Sequence, residues 1–169
     1  MPSNTFIENP ADKTASPRGW HDDGRTVSRD TSCVPIFVLV SNSLTLTVNS
    51  SGNNVITFIG RQDQTTKESV IGTHQFKYFY DIHGGPKQGQ NPDAARTSAF
   101  YTSNVVHDIA YRYGFTEEAF NFQSNNFGKG GKGGDPVLVS VHNNSKMNDA
   151  GFYTPPECVK FFWALLNSL

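Results

Sequence analysis

Histidines are the side chains of this chain with the widest chemical range, and there are five: His21, His74, His83, His107 and His142. A helical zinc site needs two histidines four residues apart, with a glutamate placed to act on the metal-bound water. His107-Asp108-Ile109-Ala110-Tyr111 lies in the best helix candidate, but Tyr111 stands at the second ligand position. No H-E-x-x-H or G-x-S-x-G motif occurs. We therefore interpret His107 as a structural histidine, hydrogen-bonded at the edge of the core.

The glycine-rich stretch 128–134 is a second candidate site, because residues 128–133 match G-x-G-x-x-G. A dinucleotide site needs a strand before this motif and a helix after it. Here a strand led by Pro136 follows, and no Lys-Ser or Lys-Thr pair completes a phosphate loop. The sequence thus disfavours nucleotide binding. Two glycosylation sequons, Asn49-Ser50-Ser51 and Asn143-Asn144-Ser145, matter only in a secreted chain.

Composition excludes several partners. The chain has 169 residues, which suits one domain or part of a larger one, and its net charge is -1. Basic residues are scattered apart from Lys129 and Lys132, so neither nucleic acid nor an anionic membrane is an expected partner. The longest apolar run, 34–40, is too short to span a bilayer, and no signal peptide is predicted after Met1. A disulfide between Cys33 and Cys158 stays open.

Local patterns predict an α+β fold with short strands and one long helix at about residues 92–113. Asn91 is expected to cap the helix, Pro92 suits its first turn, and Gly114 is the expected terminator. Its predicted buried stripe comprises Ala95, Ala99, Val106, Ala110 and Tyr113. Strands are predicted at 55–59, at 76–80 and at 137–141, with an edge strand at 147–153 that ends before Pro155-Pro156. Ser16 to His21 form a predicted turn that buries Trp20.

The segment 104–117, NVVHDIAYRYGFTE, resembles the N-x-x-H-D-x-x-Y-x-Y-G-F-T-E segment of the fungalysin family. The match continues through 121–135, and residues 15–21 and 52–55 resemble two further landmarks of the family. The resemblance implies the N-terminal lobe of a thermolysin-like catalytic domain, with mostly antiparallel strands. It also implies a secreted, extracellular zinc metalloendopeptidase.

Two stretches depart from the family pattern and divide the chain. Residues 1–26 are interpreted as a leading loop segment and 27–50 as a non-family insertion, a retained intron. Residues 51–156 are then a partial fungalysin-like catalytic domain, and 157–169 an aberrant tail. The H-E-x-x-H helix is not present in this sequence, so no catalytic residue and no metal ligand is assigned.

One substrate-binding element carries over by resemblance. Residues 147–152, MNDAGF, resemble the Asn-Asn-Ala-x-Phe/Trp edge strand that pairs with the peptide backbone in thermolysin-like peptidases. This implies substrate contacts at Asp149 and Ala150, although Asp149 stands where Asn is usual and lacks an amide donor. The expected cofactor is Zn²⁺ with ligands outside this chain, and the expected partners are peptide substrates and the propeptide of the zymogen. The alternative is a non-catalytic fragment or pseudogene-like product, at most a peptide- or propeptide-binding module.

Overall fold

The computed structural model describes residues 7–8, 10–24, 49–67, 69, 75–142, 150–153 and 162–165. The described elements are β1 (Val55–Phe58), α1 (Asn91–Arg112), a 3-10 turn (Glu117–Ala119), β2 (Val137–Val141), β3 (Ala150–Tyr153) and β4 (Phe162–Leu165). One long helix with a few short strands confirms the α+β prediction. The predicted insertion up to residue 48, both cysteines, His74, Asp149 and the second sequon lie outside the described residues.

Helix α1 begins and ends as its sequence requires. Pro92 and Asp93 occupy the first turn, where a missing N–H costs nothing and a carboxylate faces the positive end of the helix. At the other end, Gly114 adopts a φ of 100°, and its N–H donates to the carbonyl of Tyr111 at 3.0 Å. Glycine reaches this left-handed conformation without a steric penalty. The bounds agree with the predicted 92–113 to within one residue.

The predicted cap at Asn91 is wrong, because its side chain reaches backwards instead of capping. Gln90 holds the cap position, and no side chain there bonds to the helix. The Asn91 amide accepts from the N–H of Asp81 at 2.7 Å and donates to the carbonyls of Asp81 and Gly85, each at 3.0 Å. Asn91 therefore fastens the turn before the helix, and it is fully buried there.

The predicted apolar stripe of α1 is confirmed at Ala99, which is buried, and at Ala95, which packs against the core. It is wrong at Val106 and Tyr113, which are 59% and 90% exposed. The buried face also includes Phe100, Asn104 and Asp108, in addition to Asn91. Amide and carboxylate side chains are stable there because neighbouring segments supply hydrogen-bond partners, which apolar periodicity does not register.

The four described strands form one sheet in the order β1-β2-β4-β3. The expectation of mostly antiparallel strands is wrong for these ladders: β1 pairs with β2 in parallel, β2 pairs with β4 in parallel, and only β3 and β4 run antiparallel. The connection from β1 to β2 contains α1. Parallel strands need a long crossover of this kind, because a short hairpin would join them in opposite directions. Strand β4 lies inside the stretch predicted to be an aberrant tail, yet it occupies a central position.

The core lies where α1 packs on β1 and β2. Its buried members are Trp20, Val55, Ala99, Phe100, Val139 and Val141. The burial of Trp20 confirms the predicted turn at 16–21, which brings the N-terminal segment onto the helix. The predicted strand at 76–80 does not form. Phe76 there stacks on His21 with ring centroids 5.4 Å apart, and the Tyr78 hydroxyl donates to the carbonyl of Lys67 at 2.7 Å.

Candidate functional site

Strand β3 is the part of the described chain that corresponds to the predicted substrate-binding edge. Ala150 is its first residue, and Asp149 lies outside the described residues. Ala150 lies opposite Leu165 and Tyr153 lies opposite Phe162 in the ladder with β4. In an antiparallel pair, alternate residues direct their N–H and C=O toward the partner and the others direct them away. Because β3 ends the strand order, two of its four residues direct these groups outward.

The two middle residues of β3 are exposed. Gly151 is exposed, and a Cβ built on it would meet no described atom within 4 Å. Phe152 is 49% exposed, and its ring centroid lies 6.4 Å from that of Phe122. Phe122 in turn packs edge-on against Phe115 at 5.3 Å. An aromatic row thus connects the edge strand to the loop after α1.

The His107-Asp108 pair, the other candidate, is a structural hub. The Asp108 carboxylate accepts from the N–H of Asp12 at 2.9 Å, from the Ser16 hydroxyl at 2.7 Å and from the Trp20 indole at 2.7 Å. His107 Nδ1 is its fourth partner at 3.1 Å. Burial on its own raises the pKa of Asp108, but these hydrogen bonds outweigh it and hold the pKa below its usual value. The hub fixes the N-terminal segment on α1.

Both nitrogens of His107 are engaged. Because Nδ1 faces the Asp108 carboxylate it carries the proton, and Nε2 then accepts from the Gln123 side-chain amide at 3.3 Å. A histidine used in this way has no lone pair directed at an open position. The geometry agrees with the structural role predicted for His107. The sequence did not reveal that Asp12, Ser16 and Trp20 converge on its neighbour, since they are separated from it by 88 to 96 residues.

The glycine-rich loop is held by a buried carboxylate. Glu117 is 3% exposed, and it accepts from the Tyr111 hydroxyl at 2.9 Å and pairs with Lys129 Nζ at 3.1 Å. Burial opposes the charge on Lys129, yet the bonds to Glu117 and Tyr111 raise the Lys129 pKa overall. Close packing explains the glycine at 131, where a Cβ would lie 1.6 Å from the carbonyl oxygen of Glu117. The loop leads into β2 and not into a helix, which is unlike a dinucleotide site.

The Asp12 carboxylate ties the N-terminal segment to the end of α1. It accepts from the N–H groups of Ala15 and Thr14 and from the Arg112 guanidinium, and these bonds lower its pKa in that order of importance.

In the described ranges no helix is long and apolar enough to cross a membrane.

A comparison with models of protein families shows to which family this chain belongs. The model of the fungalysin metallopeptidases (M36) matches residues 2–164. The chain belongs to the fungalysin family. The match extends through the stretch 27–50 and through most of β4, both of which the sequence set apart from the family pattern.

Curated relatives agree with this assignment. The chain is 37% identical over 155 residues to extracellular metalloproteinase 5 of Trichophyton tonsurans, covering 89% of this chain and 22% of that protein. It is 37% identical over 158 residues to extracellular metalloproteinase 2 of Arthroderma benhamiae, covering 90% of this chain and 22% of that protein. This fungalysin chain therefore spans about a fifth of the length of the relatives it matches.

The side chains that the structure describes in this fungalysin chain do not form a zinc site. Across the described ranges, no group of three or more His, Cys, Asp or Glu side chains is arranged to hold a metal ion. The buried His107 uses both nitrogens in hydrogen bonds. Asp108 and Glu117 are likewise committed to protein donors. No step of peptide hydrolysis is therefore assigned to these side chains.

Proposed function

We propose that this chain is the N-terminal lobe of the catalytic domain of an extracellular zinc metalloendopeptidase, and that β3 binds the substrate backbone. The position of β3 at the end of the strand order supports this role. Family membership supplies the reaction class, and the names of the relatives support an extracellular location. In this proposal a propeptide partners the lobe in the zymogen, and neither nucleic acid nor a membrane is a partner.

An extended peptide would add to β3 as a further strand. Two outward-facing residues offer two N–H and two C=O groups, so up to about four backbone hydrogen bonds can form. At about 0.5–1.5 kcal/mol each, they contribute roughly 2–6 kcal/mol. Association costs at least about 4 kcal/mol, so the edge alone binds peptides weakly, with a Kd in the millimolar range or above. Backbone pairing of this kind selects extended chains with little regard to sequence.

Asp149 and Ala150 are the residues we propose for substrate contact. Ala150 begins β3, and we propose that its backbone pairs with the peptide. Asp149 precedes it directly. A carboxylate accepts hydrogen bonds but cannot donate one, whereas an asparagine amide does both. We expect Asp149→Asn to strengthen peptide binding because it restores a donor toward peptide carbonyls, while Asp149→Ala weakens it.

The zinc ligands and the general base belong, in this proposal, to parts of the enzyme that this sequence does not contain. No H-E-x-x-H occurs in it. We therefore expect the purified chain to leave casein intact, with or without added Zn²⁺. Cleavage that depends on zinc and stops on addition of a chelator would refute this part of the proposal.

Peptide binding is tested separately by titrating the isotopically labelled chain with an extended peptide at millimolar concentrations. Amide shifts are expected at alternate residues of β3, because only those face outward. The control is the same peptide with alternate backbone nitrogens methylated, which cannot donate to the edge. Equal shifts with both peptides, or no shift within 150–153, would contradict the backbone-pairing role.

A non-catalytic product is the second candidate, and the absent zinc motif is the observation that favours it. Such a product would act at most as a peptide- or propeptide-binding module.

The division at 27–50 and 157–169 is proposed to reflect a retained intron and an aberrant tail. Transcript sequencing tests this division. If the gene encodes a complete enzyme, we expect spliced messages that lack both stretches and continue to codons for H-E-x-x-H. Spliced messages that retain both stretches, with no longer form, would contradict that division.

A further inference from the structure

The sequon Asn49-Ser50-Ser51 forms a strand-like segment beside β1 on the sheet edge opposite β3. Ser51 bridges to Ile56 in antiparallel fashion, and Asn49 bridges to Lys67. The order β1-β2-β4-β3 places three strand spacings between β1 and β3. At about 4.8 Å each, these spacings separate the two edges by roughly 14 Å.

The middle residue of the sequon is the anchor. Ser50 is fully buried, and its N–H donates to the carbonyl of Thr66 at 2.7 Å. Its hydroxyl donates to the carbonyl of Thr57 at 3.1 Å and accepts from the N–H of Thr66 at 2.9 Å. Side chains alternate in an extended segment, so Asn49 and Ser51 fall on the opposite side from this anchor. Both are partly exposed.

The two outer residues of the sequon contact each other. The Ser51 hydroxyl donates to the Asn49 carbonyl oxygen Oδ1 at 2.5 Å. The bond engages the oxygen of the amide and leaves the nitrogen Nδ2 as the end at which a substituent can be attached. It also draws electron density from the amide, which makes its N–H easier to deprotonate.

We propose that Asn49 is an N-glycosylation site and that its glycan shields the paired segments 49–51 and 66–67, which cover the β1 edge of the sheet. The inference rests on the secretion of the proposed enzyme, because the glycan donor is met in the secretory pathway, and it concerns the chain that retains residues 27–50. The donor class is a lipid-linked oligosaccharide diphosphate. Asn49 Nδ2 forms a bond to the anomeric carbon, the bond from that carbon to the diphosphate oxygen breaks, the lipid diphosphate leaves, and Nδ2 loses one proton.

A glycan at this position has a physical consequence for the sheet. Exposed strand edges pair with other chains unless they are covered or charged. The segment 49–51 lies between β1 and residues 66–67, and a bulky polar substituent on Asn49 would hinder another chain from pairing with these short segments. The roughly 14 Å to β3 leaves the peptide-binding edge open. One edge of the sheet is then closed to association while the other stays available to substrate.

The test is expression of the whole chain behind a yeast secretion signal, in an Asn143→Gln background that removes the other sequon. Medium and cell lysate are both collected, and masses are measured before and after treatment with a peptide-N-glycosidase. We expect a mass loss of one glycan and conversion of Asn49 to Asp. Ser51→Thr should keep the modification, whereas Asn49→Gln and Ser51→Ala should abolish it.

Unmodified Asn49 in chains whose signal has been removed would overturn the site, and so would an unchanged mass loss in Asn49→Gln. Because the host supplies the signal, this result says nothing against the peptidase proposal. That proposal fails instead if β3 shows no peptide response, whatever the state of Asn49. Asn49→Gln keeps the amide group and the buried Ser50 anchor, so loss of folding is not an expected complication.

Discussion

Replacement of Asp108 by asparagine tests whether the polar hub stabilises the lobe. Three of its four donors, Ser16, Trp20 and His107, reach the carboxylate through their side chains, and Asp12 does so through its backbone. Hydrogen bonds to a charged group contribute about 1.5–3 kcal/mol and neutral ones about 0.5–1.5 kcal/mol. Loss of the charge thus costs about 1 kcal/mol per bond.

Asparagine fits this site without leaving a donor opposed by another donor. Its oxygen can take the place of Oδ2, which accepts from Asp12 and Trp20. Its amide then faces the Ser16 hydroxyl, which can rotate to accept, and His107 Nδ1, which can accept once the ring proton is on Nε2 and the Gln123 amide turns its oxygen toward that proton. The expected loss for Asp108→Asn is about 2–4 kcal/mol. Asp108→Leu would leave all four donors unpaired and is expected to abolish folding, given total stabilities of about 5–15 kcal/mol.

The assay is urea unfolding at about 10–20 °C, where stability is typically greatest, followed by tryptophan fluorescence. Trp20 donates directly to Asp108, so its emission reports on the hub. The control is Asp63→Asn, since the Arg61–Asp63 ion pair is exposed and its loss should cost less than about 1 kcal/mol.

The pH dependence provides an independent check. Because the pKa of Asp108 is lowered in the folded state, its stabilising effect is present above its usual value of 3.8 and is lost as pH falls through the lower folded pKa. The difference in free energy of unfolding between the original chain and Asp108→Asn should therefore be largest at pH 7 and shrink below about pH 4. A gap under about 0.5 kcal/mol at pH 7, or one that is unchanged at low pH, would refute the reasoning.

Three further predictions follow from single features. Gly131→Ala should lower the free energy of unfolding by several kcal/mol, because its Cβ would lie 1.6 Å from the Glu117 carbonyl oxygen at a φ of 65°. The control is Gly128→Ala, which has a φ of 79° but no atom within 4 Å of the added Cβ. It should cost only about 1–2 kcal/mol in the same urea assay. Burial raises the pKa of Asp135, so the charged carboxylate destabilises the folded state at pH values above that pKa. Asp135→Asn should therefore raise the urea midpoint at pH 7, and this gain should vanish at low pH, where Asp135 is protonated. Equal midpoints at pH 7 would contradict this reasoning. Deletion of 157–169 removes β4 from between β2 and β3, so it should abolish a cooperative urea transition, and an unchanged midpoint would contradict a stabilising role of β4.

The sequence by itself determined the local elements and the family. Pro92, Asp93 and Gly114 mark the ends of α1 through backbone chemistry that acts within one turn, so the bounds were predictable. The apolar run 137–141 likewise predicted β2. The segment 104–117 carried the family resemblance, which the family match confirmed.

Tertiary structure alone decided which face of α1 is buried and how the strands pair. Asn104 and Asp108 are not part of the predicted apolar stripe, but they are buried because Asn54, Ser16 and Trp20 reach them from distant parts of the chain. Parallel pairing depends on the path of the chain between strands, and a strand's own residues do not encode that path. The alternation at 76–80 did not produce a strand, and none of the described strands pairs with it. Local sequence therefore specified where elements begin and end, and long-range hydrogen bonding specified which side chains they bury.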